Sequence, residues 1–172
     1  MSTLHEAFIE TLKDTYDAEQ QILKAFPKVI EHTESDELRD ALQDHLEETE
    51  QHAERLEQVF EQLDETPKAK KCKGMAGLIA EGEEVMKDEE GEAALILALQ
   101  KVEHYEIAEY GALVSWAKHL GEEEAMKILQ ETLNEEKKAD QKLNEIAEET
   151  VNMEEGEEGE EEGGDEQQRK AA

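Results

Sequence analysis

The sequence is poor in residues that cross-link, break or stiffen a chain. Cys72 is its only cysteine, so no intramolecular disulfide and no zinc-type cysteine spacing is available. The two prolines, Pro27 and Pro67, leave long stretches free to continue as helix. Aromatics make up only 4% of the residues, so a core has to be built mainly of Leu, Ile, Val and Ala. Basic side chains are outnumbered, 18 Lys and Arg against 48 Asp and Glu, for a formal net charge of −30. That balance excludes nucleic acid and anionic membrane as partners. No uncharged apolar run approaches the roughly 20 residues that span a bilayer. The opening Met1-Ser-Thr-Leu-His-Glu6 lacks the basic patch and apolar run of a signal peptide. The expectation is a cytoplasmic protein. There is also no Gly-rich phosphate loop and no nucleophile elbow.

What is present points to helix. At 172 residues the chain suits one domain with a real core. Apolar residues make up 37% and charged residues 38%, and the wealth of Glu, Leu, Ala, Lys and Gln favours long amphipathic helices over sheet. Residues 154–172 hold nine acidic and two basic side chains, which leaves most of the negative charge on the residues before them. Such a surface repels itself at low ionic strength, so a salt-rich host is expected.

Apolar positions three and four apart predict four long helices. The first spans about 3–32, with Leu4, Phe8, Leu12, Tyr16, Leu23, Phe26 and Ile30 inward and Pro27 kinking it or opening its last turn. Ser35 is the N-cap of the second, which runs to about Leu63 with Leu38, Leu42, Leu56, Val59 and Leu63 on one face. The pattern breaks between Asp64 and Met75, and Met75 to Met86 reads as one short further helix. The third long helix runs from near Gly91 to about His119, with Leu95, Leu99, Tyr110, Leu113 and Ala117 inward. Gly121 stops it, and the fourth runs from Glu122 to about Thr150 with Leu129, Leu133, Leu143 and Ile146 inward. Short links make each sequential pair antiparallel, whereas about 27 residues separate the second helix from the third, enough to cross the bundle. One long crossover is the ferritin-like topology. The expected fold is therefore all-α, a ferritin-like four-helix bundle over 1–152 with a short helix in the crossover. A disordered, acidic Glu/Gly-rich tail is expected over 153–172.

Each apolar stripe is interrupted by polar residues at its middle. These are Glu19 in the first helix; His45, Glu48, Thr49 and His52 in the second; Glu103 and Glu106 in the third; and Glu135, Glu136 and Asp140 in the fourth. Glu is abundant enough that any one of these falls on an apolar face by chance. Four helices interrupted at one height do not. Burying several carboxylates is prohibitive unless something neutralises them, and two metal ions with oxygen and imidazole donors do so, iron or manganese suiting that set. The known arrangement takes a Glu from each of two helices and a Glu-x-x-His pair from the other two. Here Thr49 stands where Glu-x-x-His52 needs Glu, and Ala139 where Glu136-x-x-His needs His, with Glu48 and Asp140 as substitutes. Tyr16 and Tyr110 lie one turn from the carboxylates, within reach of a ligand or of ordinary core packing. His5, His32 and His119 fall near helix ends and read as solvated; His104 points sideways; Trp116 and Met126 read as core.

The stretches Tyr16-Asp-Ala-Glu19-Gln-Gln, His45-Leu-Glu-Glu-Thr49 with Glu54-Arg-Leu56, Val102-Glu-His-Tyr-Glu106-Ile-Ala-Glu-Tyr110-Gly111 and Thr132-Leu-Asn-Glu-Glu136 resemble the YciE/YciF family of ferritin-like proteins over about residues 3–150. The resemblance implies a fold similar to rubrerythrin and bacterioferritin, a dimetal centre, dimerisation and a link to stress responses. It makes Glu19, Glu103, Glu106 and Glu136 the carboxylate ligands and His52 the imidazole, with Glu48 supplying the second helix's carboxylate. His45 becomes a supporting or alternative ligand. A rubrerythrin-type cysteine-ligated iron is ruled out by the single cysteine.

Two readings of function follow. In the first, two irons react with oxygen or peroxide, as in a ferroxidase or a peroxide scavenger; manganese or zinc is the variant. In the second, the chain is a non-catalytic helical stress or scaffold protein that binds metal structurally or not at all. A homodimer is expected from the resemblance, with Leu78, Ile79 and Trp116 as candidate outer contacts.

Overall fold

The computed structural model describes residues 3–88 and 91–169, with side chains followed as far as Glu149. All regular structure among them is helical: α1 (Leu4–His32), α2 (Asp36–Gln62), α3 (Lys73–Lys87), α4 (Glu92–Leu120) and α5 (Glu123–Arg169). The segment 153–172, expected to be disordered, has helical backbone as far as Arg169, and 170–172 lie outside the described residues.

Local chemistry sets the ends. Thr3 and Glu6 form a capping box: the Glu6 N–H donates to the Thr3 hydroxyl at 3.1 Å, and the Thr3 N–H donates to the Glu6 carboxylate at 2.7 Å. Ser35 caps α2 by accepting from the Leu38 N–H at 3.2 Å. Gly121, at φ 81, takes the left-handed conformation that closes α4. Pro27 does not end α1, which continues to His32.

Cross-helix contacts fix the directions. Thr15 reaches Glu109, and the backbone at Glu34 and Ser35 reaches Glu92, so α1 and α4 run antiparallel. Glu37 meets Lys142 while Arg55 meets Thr132, so α2 and α5 are antiparallel as well. With the short turns between α1 and α2 and between α4 and α5, this makes α2 and α4 parallel. The chain must then travel back the length of a helix between them. It does so along α1: the Lys70 N–H donates to the Lys13 carbonyl, the Cys72 N–H donates to the Asp17 carboxylate, and Lys28 pairs with Glu83 of α3. Each long helix packs on two others in the cyclic order α1, α2, α5, α4, with α3 laid outside α1 and α4.

The buried face of α1 runs Phe8, Leu12, Thr15, Glu19, Ile22, Phe26 and Val29. Leu4, expected inward, is 39% exposed, because it lies in the first turn beyond the reach of the neighbouring helices. Tyr16, Leu23 and Ile30 flank the stripe half-buried, since a true 3.6-residue repeat drifts away from a fixed spacing of four. Trp116 and Met126, read as core, are likewise half-buried against it. The apolar interior falls into two clusters. One holds Phe8, Leu12, Leu56, Val59, Phe60, Leu113 and Leu129; the other holds Ile22, Phe26, Leu38, Leu42, Leu95, Leu99, Leu143 and Ile146. Each fully buried Leu or Phe stabilises the fold by roughly 1.5–3 kcal/mol. Between the clusters lies a layer of buried polar side chains.

Candidate metal centre

That layer takes Glu19 from α1, His45, Thr49 and His52 from α2, Glu103 and Glu106 from α4, and Glu136 from α5, all buried. On α2, His45 and His52 are seven residues apart, nearly two full turns, so both rings face inward on one line. Thr49 sits between them and turns its hydroxyl back to the His45 carbonyl at 2.8 Å. On α4, Glu103 and Glu106 are three apart and share a face.

These side chains converge as two groups of potential ligand atoms, each within 4.8 Å of one another. The first is His45, Glu103, Glu106 and Glu136; the second is Glu19, His52 and Glu136. Glu136 belongs to both. Its Oε2 lies 3.7 Å from His45 Nε2 and its Oε1 lies 2.9 Å from His52 Nδ1, so one carboxylate spans the two groups. His45 Nε2 is also 3.3 Å from Glu103 Oε2, and His52 Nδ1 is 3.8 Å from Glu19 Oε1.

The free nitrogen of each histidine is held from behind. Glu48 lies 3.4 Å from His45 Nδ1, and Glu135 lies 2.9 Å from His52 Nε2. Glu135 is itself gripped by the Arg55 guanidinium, with Nη2 to Oε1 at 3.1 Å. Carboxylates behind histidines fix the ring and its tautomer so that the other nitrogen presents a lone pair. Tyr110, fully buried, donates its hydroxyl to Glu19 Oε1.

Seven inward atoms of this layer are buried without any hydrogen-bond partner: Glu19 Oε2, His45 Nε2, His52 Nδ1, Glu103 Oε2, Glu106 Oε1 and both oxygens of Glu136. Orphaned buried acceptors are costly and call for an explanation. The titration behaviour has the same origin. Burial raises the Glu19 carboxyl to about 8, the Glu136 charge adding to it while His52 and Tyr110 pull it back. Glu106 and Glu136 are held well above the ordinary carboxylate range, first by burial and then by neighbouring carboxylates. Burial pushes His52 down. It also pushes on His45, but Glu103, Glu48 and Glu136 outweigh it and hold that ring well above its usual value. Burial raises Glu135, but Arg55 and His52 outweigh it and keep the carboxyl low. Four buried carboxylates and two imidazoles with outward nitrogens already engaged form a donor set that metal cations would neutralise. The residues present can hold metal.

The sequence-derived residues therefore fall in several places. Glu19, His52, Glu103, Glu106 and Glu136 come together, joined by His45. Glu48 and Asp140 stay outside both groups. Glu48 is half-exposed behind His45, and Asp140 lies 3.5 Å from the exposed His104. Tyr16 turns away and donates to Glu57 at 2.6 Å. His5, His32 and His119 are exposed. Arg55 enters the sequence reading only within the stretch Glu54-Arg-Leu56, with no role; its signal is a basic residue one turn beyond His52 on a helix whose one other Lys or Arg is Arg39.

Comparison with known proteins agrees with this architecture. A family described as "Domain of unknown function (DUF892)" matches residues 3–155. Protein YciF of Escherichia coli (strain K12) is 46% identical over 157 residues, covering 88% of this chain and 95% of that protein. The crystal structure of the E. coli stress protein YciF superposes with a TM-score of 0.85, covering 88% of this chain and 99% of that one. YcfI of Rhodopseudomonas palustris, for which a structural role has been suggested, superposes at 0.79 with 43% identity, covering 83% and 94%. A Xanthomonas campestris protein at 23% identity shares the fold, with a TM-score of 0.73 over 91% of this chain and 99% of its own. The chain belongs to the YciE/YciF family.

Proposed function

We propose that the four long helices form a ferritin-like bundle around a carboxylate-bridged dimetal centre, di-iron in its working form, that reacts with dioxygen or peroxide in a stress response. The observation that carries this reading is Glu136, whose two unpartnered oxygens each face a different histidine. In the metal-free protein this carboxylate pairs with the two imidazoles, and with metal bound it would be placed to bridge two cations. When bound, two Fe(II) ions supply two electrons, which with two protons reduce dioxygen to hydrogen peroxide or peroxide to water.

The chain's own residues do the rest. Glu135, clamped by Arg55, holds the His52 ring so that Nδ1 points inward. Glu48 does the same for His45 Nε2. Tyr110 keeps a proton on its hydroxyl beside Glu19, since burial and the surrounding carboxylates hold that phenol well above its ordinary value. The two apolar clusters exclude water above and below the layer. Carboxylate donors favour the ferric over the ferrous state, which suits oxidation. A cytoplasmic homodimer completes the reading.

The test is anaerobic titration of chelator-stripped protein with Fe(II), followed by oxygen. The expected result is two irons per chain and oxygen consumption well above that of free Fe(II). Two ions bound without oxygen consumption, with a raised melting temperature, would favour the second reading, a helical stress or scaffold protein with a structural metal pair. The structural role suggested for YcfI favours that alternative. Preference for Mn(II) or Zn(II) over Fe(II) would change the metal of the centre and leave oxygen consumption to decide between the two readings.

A further inference from the structure

Beyond the centre itself lies the question of how a cation reaches side chains that are almost wholly buried. The structure answers with a groove of about 630 Å³ between α2 and α5. Its floor includes His45 and Glu103, whose side chains are 8% and 1% exposed and whose inward atoms, His45 Nε2 and Glu103 Oε2, have no hydrogen-bond partner. One wall carries Glu37, Asp40, Asp44 and Glu48 of α2. Their spacings of three, four and four put all of them on one helix face. From Glu37 to Glu48 they run about 16 Å along α2, at 1.5 Å per residue, passing His45.

The opposite wall is α5, with Lys138, Ala139 and Lys142. Lys142 is tied to Glu37 at the outer end. Asp40 and Asp44 are exposed, and no basic side chain among the described residues holds either one. Glu48, the last of the row, lies 3.4 Å from His45 Nδ1. A row of carboxylates that runs past a buried, unpartnered imidazole and carboxylate is a path for a positive ion. An acidic wall beside a low-dielectric core raises the local concentration of counter-ions, and Lys142 on the facing wall is already neutralised by Glu37.

We propose that this groove is the port by which a hydrated divalent cation enters the centre, passed down the α2 carboxylates to His45 and Glu103. Glu19 and His52 do not line the groove. The His45–Glu103–Glu106–Glu136 group therefore fills first, and the Glu19–His52–Glu136 group fills through it. The proposal rests on the dimetal reading above but concerns residues outside the ligand set.

The test follows Co(II) uptake by the full chain, with bound metal counted against time after a rapid chelator quench. Asp40→Asn with Asp44→Asn is compared with Glu47→Gln and Glu54→Gln, which remove the same charge from exposed outer positions on the same helix. The groove pair should slow uptake about fivefold, a modest share of the gains that electrostatic steering gives, with the final stoichiometry unchanged. The outer pair should leave the rate near wild type, and Lys138→Glu should speed it. Equal rates in the two pairs, with two Co(II) bound at equilibrium, would overturn the port and leave the dimetal centre standing. Absence of bound Co(II) in the wild type would overturn both.

Discussion

Glu19→Gln is the substitution whose effect should change sign with metal. The Glu19 carboxyl is fully buried and its pKa rises from 4.5 to about 8. In metal-free protein the folded state therefore favours the protonated form, while the unfolded chain ionises near 4.5. The stability tied to this group is fully present below about pH 4.5 and is lost as pH rises through about 8. At pH 7 the loss is about 1.4 kcal/mol for each of some 2.5 units above the unfolded value, on the order of 3 kcal/mol. Gln keeps the shape and still accepts from Tyr110 but has no proton to lose. In chelator, Glu19→Gln should thus stabilise the protein by roughly 2–3 kcal/mol at pH 7 and by almost nothing at pH 4.5. With saturating Co(II) or Fe(II) the order reverses, because the variant lacks a ligand of the second group. Urea unfolding at the two pH values, with and without metal, is the assay. Equal destabilisation in all four conditions would refute the reasoning, since Glu19 would then be an ordinary buried side chain.

Three further outcomes follow from the same geometry. Glu136→Ala removes the one side chain shared by both groups, so bound metal should fall toward zero, whereas Glu19→Ala should retain one ion per chain; elemental analysis of dialysed protein decides it. Phe60→Ala empties a fully buried site remote from the layer, and should cost roughly 3–5 kcal/mol in urea unfolding while metal stoichiometry holds at two. Added salt should raise the melting temperature of metal-free protein, because the surface shares a net charge of −30; a flat profile would remove the argument for a salt-rich host.

Much of the helical framework is legible in the sequence because long Leu-rich stripes, the Ser35 cap and the Gly121 stop act locally. The layer is legible for a different reason: Glu19, Glu103, Glu106 and Glu136 interrupt their stripes at positions where aliphatic residues belong. What periodicity leaves open is rotational phase. His45, Glu48, Thr49 and His52 all lie within one side of α2, and at about 100° per residue Glu48 is turned some 60° from His45. Only packing against α1 and α5 decides that the two histidines face in and Glu48 stands behind. Asp140 illustrates the same limit, one turn from Glu136 yet beside the exposed His104. The role of Arg55 is not legible in the sequence, because it comes from Glu135, which lies 80 residues away on another helix.

Occupancy of the buried layer is the decisive quantity. Protein purified without chelator, then dialysed against Fe(II) under anaerobic conditions, should hold two ions per chain, with anomalous scattering placing one beside His45 and the other beside His52, Glu136 between them. A metal-free layer under those conditions, with stability unaffected by Fe(II), Mn(II) or Co(II), would contradict it.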